Sequence, residues 1–155
     1  KYRLVGSEMC IRDRLRTKED QIALIEGIKK GVVDVITSNH QPHENEIREV
    51  EFPIAPMGCI GTQIAFPMAL TYLLDELDLE TIVKTMSINP RTILQTDIPV
   101  IKEGFVANLT LFDTHTEWKF DKSSNSSLSE NTPMLDSTLK GKVHGTILGN
   151  YLHFS

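Results

Sequence analysis

The sequence predicts an α/β fold with an all-β part at its C-terminal end, on three observations. A capped amphipathic helix runs directly into a nearly continuous apolar, β-branched segment, Val32 to Thr37, the pattern of a strand covered on both faces in a parallel sheet. A long polar loop bearing Pro42, Pro53 and Pro56 then leaves the expected C-terminal end of that strand, where such sheets place their functional groups. From Gly104 onward the hydrophobic period becomes two, as in strands with one covered face.

Each element has its own local signal. Thr17-Lys18-Glu19-Asp20 has the form of a capping box, so the first helix starts there. Ile22, Leu24, Ile25 and Ile28 form its apolar face, Lys29 and Lys30 suit the negative end of its dipole, and Gly31 can take the left-handed cap. After the strand, Ser38 to Met57 is expected as a loop that includes the acidic stretch Glu44 to Glu51. A second helix is expected from about Thr62 to Glu76, with Phe66, Leu70, Leu73 and Leu74 on one side and Pro67 either kinking it or marking a late start. Asp78 caps a third helix that buries Ile82, Val83 and Met86, and Asn89-Pro90 opens a short fourth. The alternation from Phe105 to Asp113 reads as a strand, and Val143–Leu148 with Tyr151–Phe154 reads as a hairpin around Gly149-Asn150, a dipeptide suited to positive φ. Lys122 to Asn131 is rich in serine and asparagine and is expected as a mobile loop.

Composition narrows the function classes. The 155 residues are 40% hydrophobic and 24% charged, which argues against wholesale disorder. No apolar run approaches the ~20 residues of a membrane span, so no membrane role is expected. With 16 basic against 21 acidic residues, net charge -5, and 6% aromatics, the chain lacks the footprint of a nucleic-acid binder. Cys10 and Cys59 make neither a disulfide framework nor a CxxC zinc pattern, which fits a reducing, cytoplasmic location. The opening segment 1–14 has no clear periodicity, and Leu4 to Asp13 resembles the translation of a transposase-based sequencing adapter. It is therefore read as a non-native leader and set aside, with natural sequence starting near Leu15.

Ser38-Asn39-His40-Gln41-Pro42-His43-Glu44, at the expected strand end, is the prime candidate for chemistry. Two readings stand on residue types alone: His40 and His43 as metal ligands, or as a hydrogen-bonded loop pair. Pro42 denies them a regular helix, and no neighbouring His, Asp or Glu cluster completes a metal site. His115, His144 and His153 are scattered over the β part and read as surface or strand histidines.

Thr37-Ser38-Asn39-His40-Gln41-Pro42-His43 resembles the strand-8 motif of dihydroorotases, an Asp-His-x-Pro-His. Leu15 to Asp20 resembles the stretch after the family's Asn-Pro-Pro, and Ala55-Pro56-Met57-Gly58 with Gly61 resembles its Ala-Pro-Phe-Gly and downstream glycine. Asn89-Pro90, Ala107 to Asp113, Asn131-Thr132-Pro133 and Leu139 to Val143 follow in family order. His43 discriminates against hydantoinases and allantoinases, which generally end the motif in another residue.

The resemblance implies that 15–100 is the C-terminal part of a (β/α)8 amidohydrolase barrel, whose full form takes about 250 residues, and that 101–155 belongs to an appended β-sandwich. It implies that His43 contacts the substrate carboxylate and that the backbone around Met57 and Gly58 holds the dihydropyrimidine ring. The catalytic position is degenerate: the family's aspartate, a zinc ligand and general base, is Asn39 here. A neutral amide is a weak ligand and takes up no proton in the working pH range. Gln41, where active enzymes more often have alanine, also resembles catalytically inactive homologues that accompany aspartate carbamoyltransferase. Zinc is the cofactor of the active family, but no metal ligand is assigned in this chain and none is expected to be held by it. The reading that follows is a non-catalytic dihydroorotase-like protein of pyrimidine biosynthesis supporting aspartate carbamoyltransferase, oligomeric at full length. The alternatives are part of an active zinc dihydroorotase that interconverts N-carbamoyl-aspartate and dihydroorotate, with a small-molecule substrate, and a hydantoinase-like hydrolase.

Overall fold

The structure is a computed structural model and describes residues 17–44, 46–48, 50–51, 56 and 58–154. The expected leader 1–14 lies outside these residues, as does Met57.

Helix α1, Lys18–Lys29, starts as its sequence dictates: the Asp20 N–H donates to Thr17 Oγ1 and the Thr17 N–H donates to the Asp20 carboxylate, both at 3.1 Å. Gly31 at φ 67 takes the left-handed conformation that ends it. Ile25 and Ile28 pack inward, but Ile22 and Leu24 stay about half exposed, so only part of the apolar face is covered.

The strand expected over Val32 to Thr37 is not formed. Residues 33–39 run without strand pairing, tied by the Ile36 N–H to Thr85 O at 3.1 Å and, just beyond, by a single parallel bridge between His40 and Cys59. Val32 is 75% exposed and Val33, Val35 and Ile36 are half-buried, where two covered faces were expected. β-branching favours an extended backbone, but a parallel ladder needs partner strands, and the described residues supply only the Cys59 bridge.

Helix α2 is Ala65–Leu73, a late start that places Pro67 in the first turn, where its missing N–H costs nothing. Helix α3, Leu79–Val83, is capped by Asp78, which accepts from the Thr81 N–H at 2.7 Å; Ile82 is fully buried, Val83 and Met86 half-buried. Asn89-Pro90 does not cap the fourth helix, because Asn89 is itself helical at φ -59 and ψ -44. A π-helical turn, Lys84–Ile88, runs directly into α4, Asn89–Ile93. Pro90 has no N–H to offer the Met86 carbonyl, and the wider turn before it shifts the ladder past that gap.

Strands β1 (Asn108–Phe120), β2 (Ser137–Leu148) and β3 (Tyr151–Phe154) form an antiparallel sheet in that order. The hairpin expected around Gly149-Asn150 is present, with Leu148 paired to Tyr151 and Gly149 at φ 59. β1 outruns its alternating stretch because the register shifts between Asp113 and Glu117, where the Asp113 carboxylate accepts from the His115 and Thr116 N–H groups. Ile60, Ile64, Phe120 and Leu139 form one core between the α2 approach and the sheet, and Ala69, Leu70, Leu77 and Ile82 form a second between the helices. The 122–131 segment is a loop, as expected, and it folds back so that Ser129 and Asn131 are buried. Among the described residues no helix is long and apolar enough to cross a membrane.

Candidate functional site

The segment Ser38–Glu44 sits where the 33–39 run ends, held on three sides. The Gln41 N–H donates to Cys59 O at 2.9 Å, which extends the parallel bridge. His40 Nδ1 accepts from the backbone N–H groups of Gly61 at 3.0 Å and Thr62 at 3.3 Å, anchoring the turn that leads into α2. His43 is gripped through its backbone: its N–H lies 3.2 Å from Ser129 Oγ and 3.4 Å from Asn131 Oδ1.

The two histidines therefore have separate surroundings. In a neutral imidazole, an Nδ1 that accepts two hydrogen bonds leaves the hydrogen on Nε2, so His40 has no lone pair to offer a metal. Asn39 adopts φ 42, the left-handed conformation asparagine tolerates, and its Oδ1 accepts from Gln41 Nε2 at 3.4 Å. Among the described residues no group of three His, Cys, Asp or Glu side chains is placed to hold a metal ion. A zinc centre of the kind the sequence resemblance implies does not fit this donor set, which offers a neutral amide and an already engaged imidazole.

Gly58 lies beside Gln41 at φ 113, and a Cβ there would fall 2.6 Å from Gln41 Cβ. Only glycine lets the two segments approach this closely. The Gly58 carbonyl accepts from Asn131 Nδ2 at 3.3 Å, so Gly58 and the His43 segment meet at one asparagine. His40 also borders a hollow of about 280 Å³ with Thr62, Gln63 and Asn125 to Ser127. A larger, apolar cavity of about 410 Å³ lies around Ile36, Ser38, Cys59, Met68 and Tyr72. The structure thus brings the His43 backbone and Gly58 to one side chain, Asn131, while Asn39 is linked to them through its neighbour Gln41.

Ser129 and Asn131 were missed as site residues from sequence. Asn131-Thr132-Pro133 stood out only as an ordered motif, and nothing local ties it to a segment some ninety positions upstream.

Residues 1–149 match the amidohydrolase family. This chain belongs to the amidohydrolase family. Among curated proteins, the amidohydrolase chain is 40% identical over 144 residues to a dihydroorotase of Aquifex aeolicus, covering 92% of this chain and 34% of that protein. It is 39% identical over 137 residues to a dihydroorotase of Ruminiclostridium cellulolyticum, covering 87% and 32% respectively. The chain thus spans about a third of the length of the curated relatives it matches. Among solved structures, a D-hydantoinase (dihydropyrimidinase) from Thermus sp. superposes with TM-score 0.81 at 17% identity, over 96% of this chain and 35% of that one. An L-hydantoinase from Arthrobacter aurescens gives 0.78 at 26%, over 88% and 32%. The inactive dihydroorotase-like domain of a Chaetomium thermophilum CAD-like multifunctional protein gives 0.64 at 19%, over 95% and 41%. The fold is accordingly that of the amidohydrolase (β/α)8 barrel, present here as a partial α/β unit with an antiparallel sheet.

Proposed function

We propose that this chain is the C-terminal part of a dihydroorotase-like protein of pyrimidine biosynthesis that retains ring-binding groups but not the hydrolytic step, and that supports an aspartate carbamoyltransferase. In this proposal 15–100 belongs to the barrel and 101–155 to the appended sandwich. The similarity to curated dihydroorotases supports the pathway.

Asn39 carries the proposal. Hydrolysis of a ring amide needs a group that takes a proton from the attacking water, and a carboxamide has no titratable site for it. Asn39 Oδ1 is also engaged by Gln41, and His40, the nearest other candidate base, spends Nδ1 on the α2 turn. Removing a positioned base lowers rates by about 10²–10⁴-fold. The binding side of the site persists in this reading: His43 meets the substrate carboxylate, and the backbone at Met57 and Gly58 borders the ring.

The test is a dihydroorotase assay of the full-length protein and of Asn39→Asp, with co-purification against the aspartate carbamoyltransferase of the same organism. The expected results are no turnover by the native protein and a stable complex. Turnover at ordinary enzyme rates defeats the non-catalytic assignment, and failure to associate defeats the partnership.

A further inference from the structure

We infer that Ser129 and Asn131 form a buried clamp that fixes the spacing between the His43 segment and Gly58, making Asn131 a positioning residue for ligand binding. The inference rests on the assignment of those two segments to the ligand, and extends it to a pair of residues on the β side of the molecule.

Asn131 is 1% exposed, and its carboxamide is fully used. Nδ2 donates to Gln41 O at 2.9 Å and to Gly58 O at 3.3 Å, and Oδ1 faces both the His43 N–H and the Ser129 hydroxyl. An amide has two donor hydrogens and two acceptor positions, so no other residue of similar size can replace this pattern. The backbone joins in, with Asn131 O accepting from the Ile60 N–H at 3.0 Å. Ser129 Oγ closes the other side: it accepts from the His43 N–H, and its one hydrogen can go to His43 O, 2.6 Å away, or to Asn131 Oδ1. The clamp is itself braced, by Asn125 Nδ2 to Ser129 O at 2.9 Å and by Gln63, which bonds Ser124 O and the Ser126 N–H.

Two backbone segments separated in sequence are thus held in register by one side chain from a third. A buried polar network of this kind specifies one arrangement when complete and is costly when a member is lost. Asn131→Asp keeps shape and volume but turns both donors into acceptors aimed at carbonyl oxygens. Ser129→Ala removes the hydroxyl alone. Leu139→Ala, in the core that holds Ile60 and Phe120, serves as a control that weakens packing without removing any hydrogen bond of the clamp.

Dihydroorotate affinity is measured by calorimetry on the full-length protein and these three variants, together with amide hydrogen exchange at Gln41 and His43. Asn131→Asp is expected to weaken binding by about tenfold or more, and Ser129→Ala by a smaller factor. Both are expected to speed exchange at His43, while Leu139→Ala leaves affinity within about twofold. Should Asn131→Asp fail to fold, Ser129→Ala decides the matter by the same two readouts. Equal effects of Leu139→Ala and the clamp variants overturn the inference, as does unchanged affinity in Asn131→Asp. If the parent protein binds no dihydroorotate, the ligand assignment falls separately. The exchange data still judge the clamp: faster exchange confined to Asn131→Asp and Ser129→Ala upholds the geometry, and its absence refutes it.

Discussion

Replacing Gly58 by alanine is expected to destabilise the full-length protein by about 2–5 kcal/mol, the sum of a backbone cost and a steric one. At φ 113 an L-residue sits outside its comfortable regions, at a cost of about 1–2 kcal/mol. The added Cβ would also lie 2.0 Å from Gln41 Oε1, 2.8 Å from Cδ and 2.6 Å from Cβ. Oε1 and Cδ can swing away, but Cβ moves only with the main chain, and that is pinned by the Gln41 N–H to Cys59 O and by Asn131 Nδ2 on Gln41 O, each at 2.9 Å. Overpacking of this type costs about 1–3 kcal/mol. Gly31→Ala isolates the backbone part: φ is 67 and a Cβ would meet nothing within 4 Å, so only about 1–2 kcal/mol is expected. Adding Gln41→Ala to Gly58→Ala removes the two mobile atoms and keeps the Cβ contact, so partial relief is expected, a coupling of roughly 0.5–3 kcal/mol. Urea unfolding of the parent, Gly31→Ala, Gly58→Ala, Gln41→Ala and the double variant, read at constant m, supplies the numbers. If Gly58→Ala is no worse than Gly31→Ala, or if the double variant shows no coupling, the close approach of Gly58 to Gln41 is wrong.

Thr17→Ala removes one half of the α1 capping box and should cost about 1 kcal/mol, seen as faster amide exchange in the first turn of α1; unchanged exchange would count against the cap. The Asp113 carboxyl is held far below the ordinary carboxylate range, first by the Thr116 N–H at 2.6 Å and then by the His144 ring at 2.7 Å. Its folded pKa is depressed, so its contribution is fully present above the unfolded value near 4 and is lost as pH falls through the folded value. Unfolding midpoints of the parent should therefore drop more steeply below about pH 4 than those of Asp113→Asn; parallel curves would refute the assignment. Lys29 bridges α1 to Glu76 at 2.9 Å with both side chains substantially exposed, and Lys29→Ala should lower the urea midpoint only slightly, with the difference shrinking in high salt. The 155-residue chain expressed alone should bind an apolar dye through Val33, Val35 and Ile36, each half-buried beside the exposed Val32; a monodisperse monomer with a cooperative melt would contradict this.

Where the physics is local, the sequence was legible. The capping box at Thr17, the Asp78 cap, the late start of α2 that puts Pro67 in its first turn and the Gly149 turn each depend on groups within about one helical turn or one hairpin, and each is present. Residue types and motif order singled out the segment Asn39 to His43 as the candidate. Two expectations failed for non-local reasons. The Val32–Thr37 strand lacks partners, and a π turn running straight into α4 takes the place of the cap expected at Asn89. The Ser/Asn-rich segment is a loop as expected, and the distant backbone groups that donate to it and accept from it have no local signal.

By itself the sequence determined the caps of α1 and α3, the turn, the family motifs and the neutral amide at position 39, because these are properties of neighbouring residues or of a single side chain. Tertiary structure alone decided that His40 anchors the α2 turn and that Asn131 ties Gln41 to Gly58. Hydrogen-bond partners that lie far apart in the chain are chosen by which buried polar groups remain unsatisfied after packing, and no local pattern of residues records that choice.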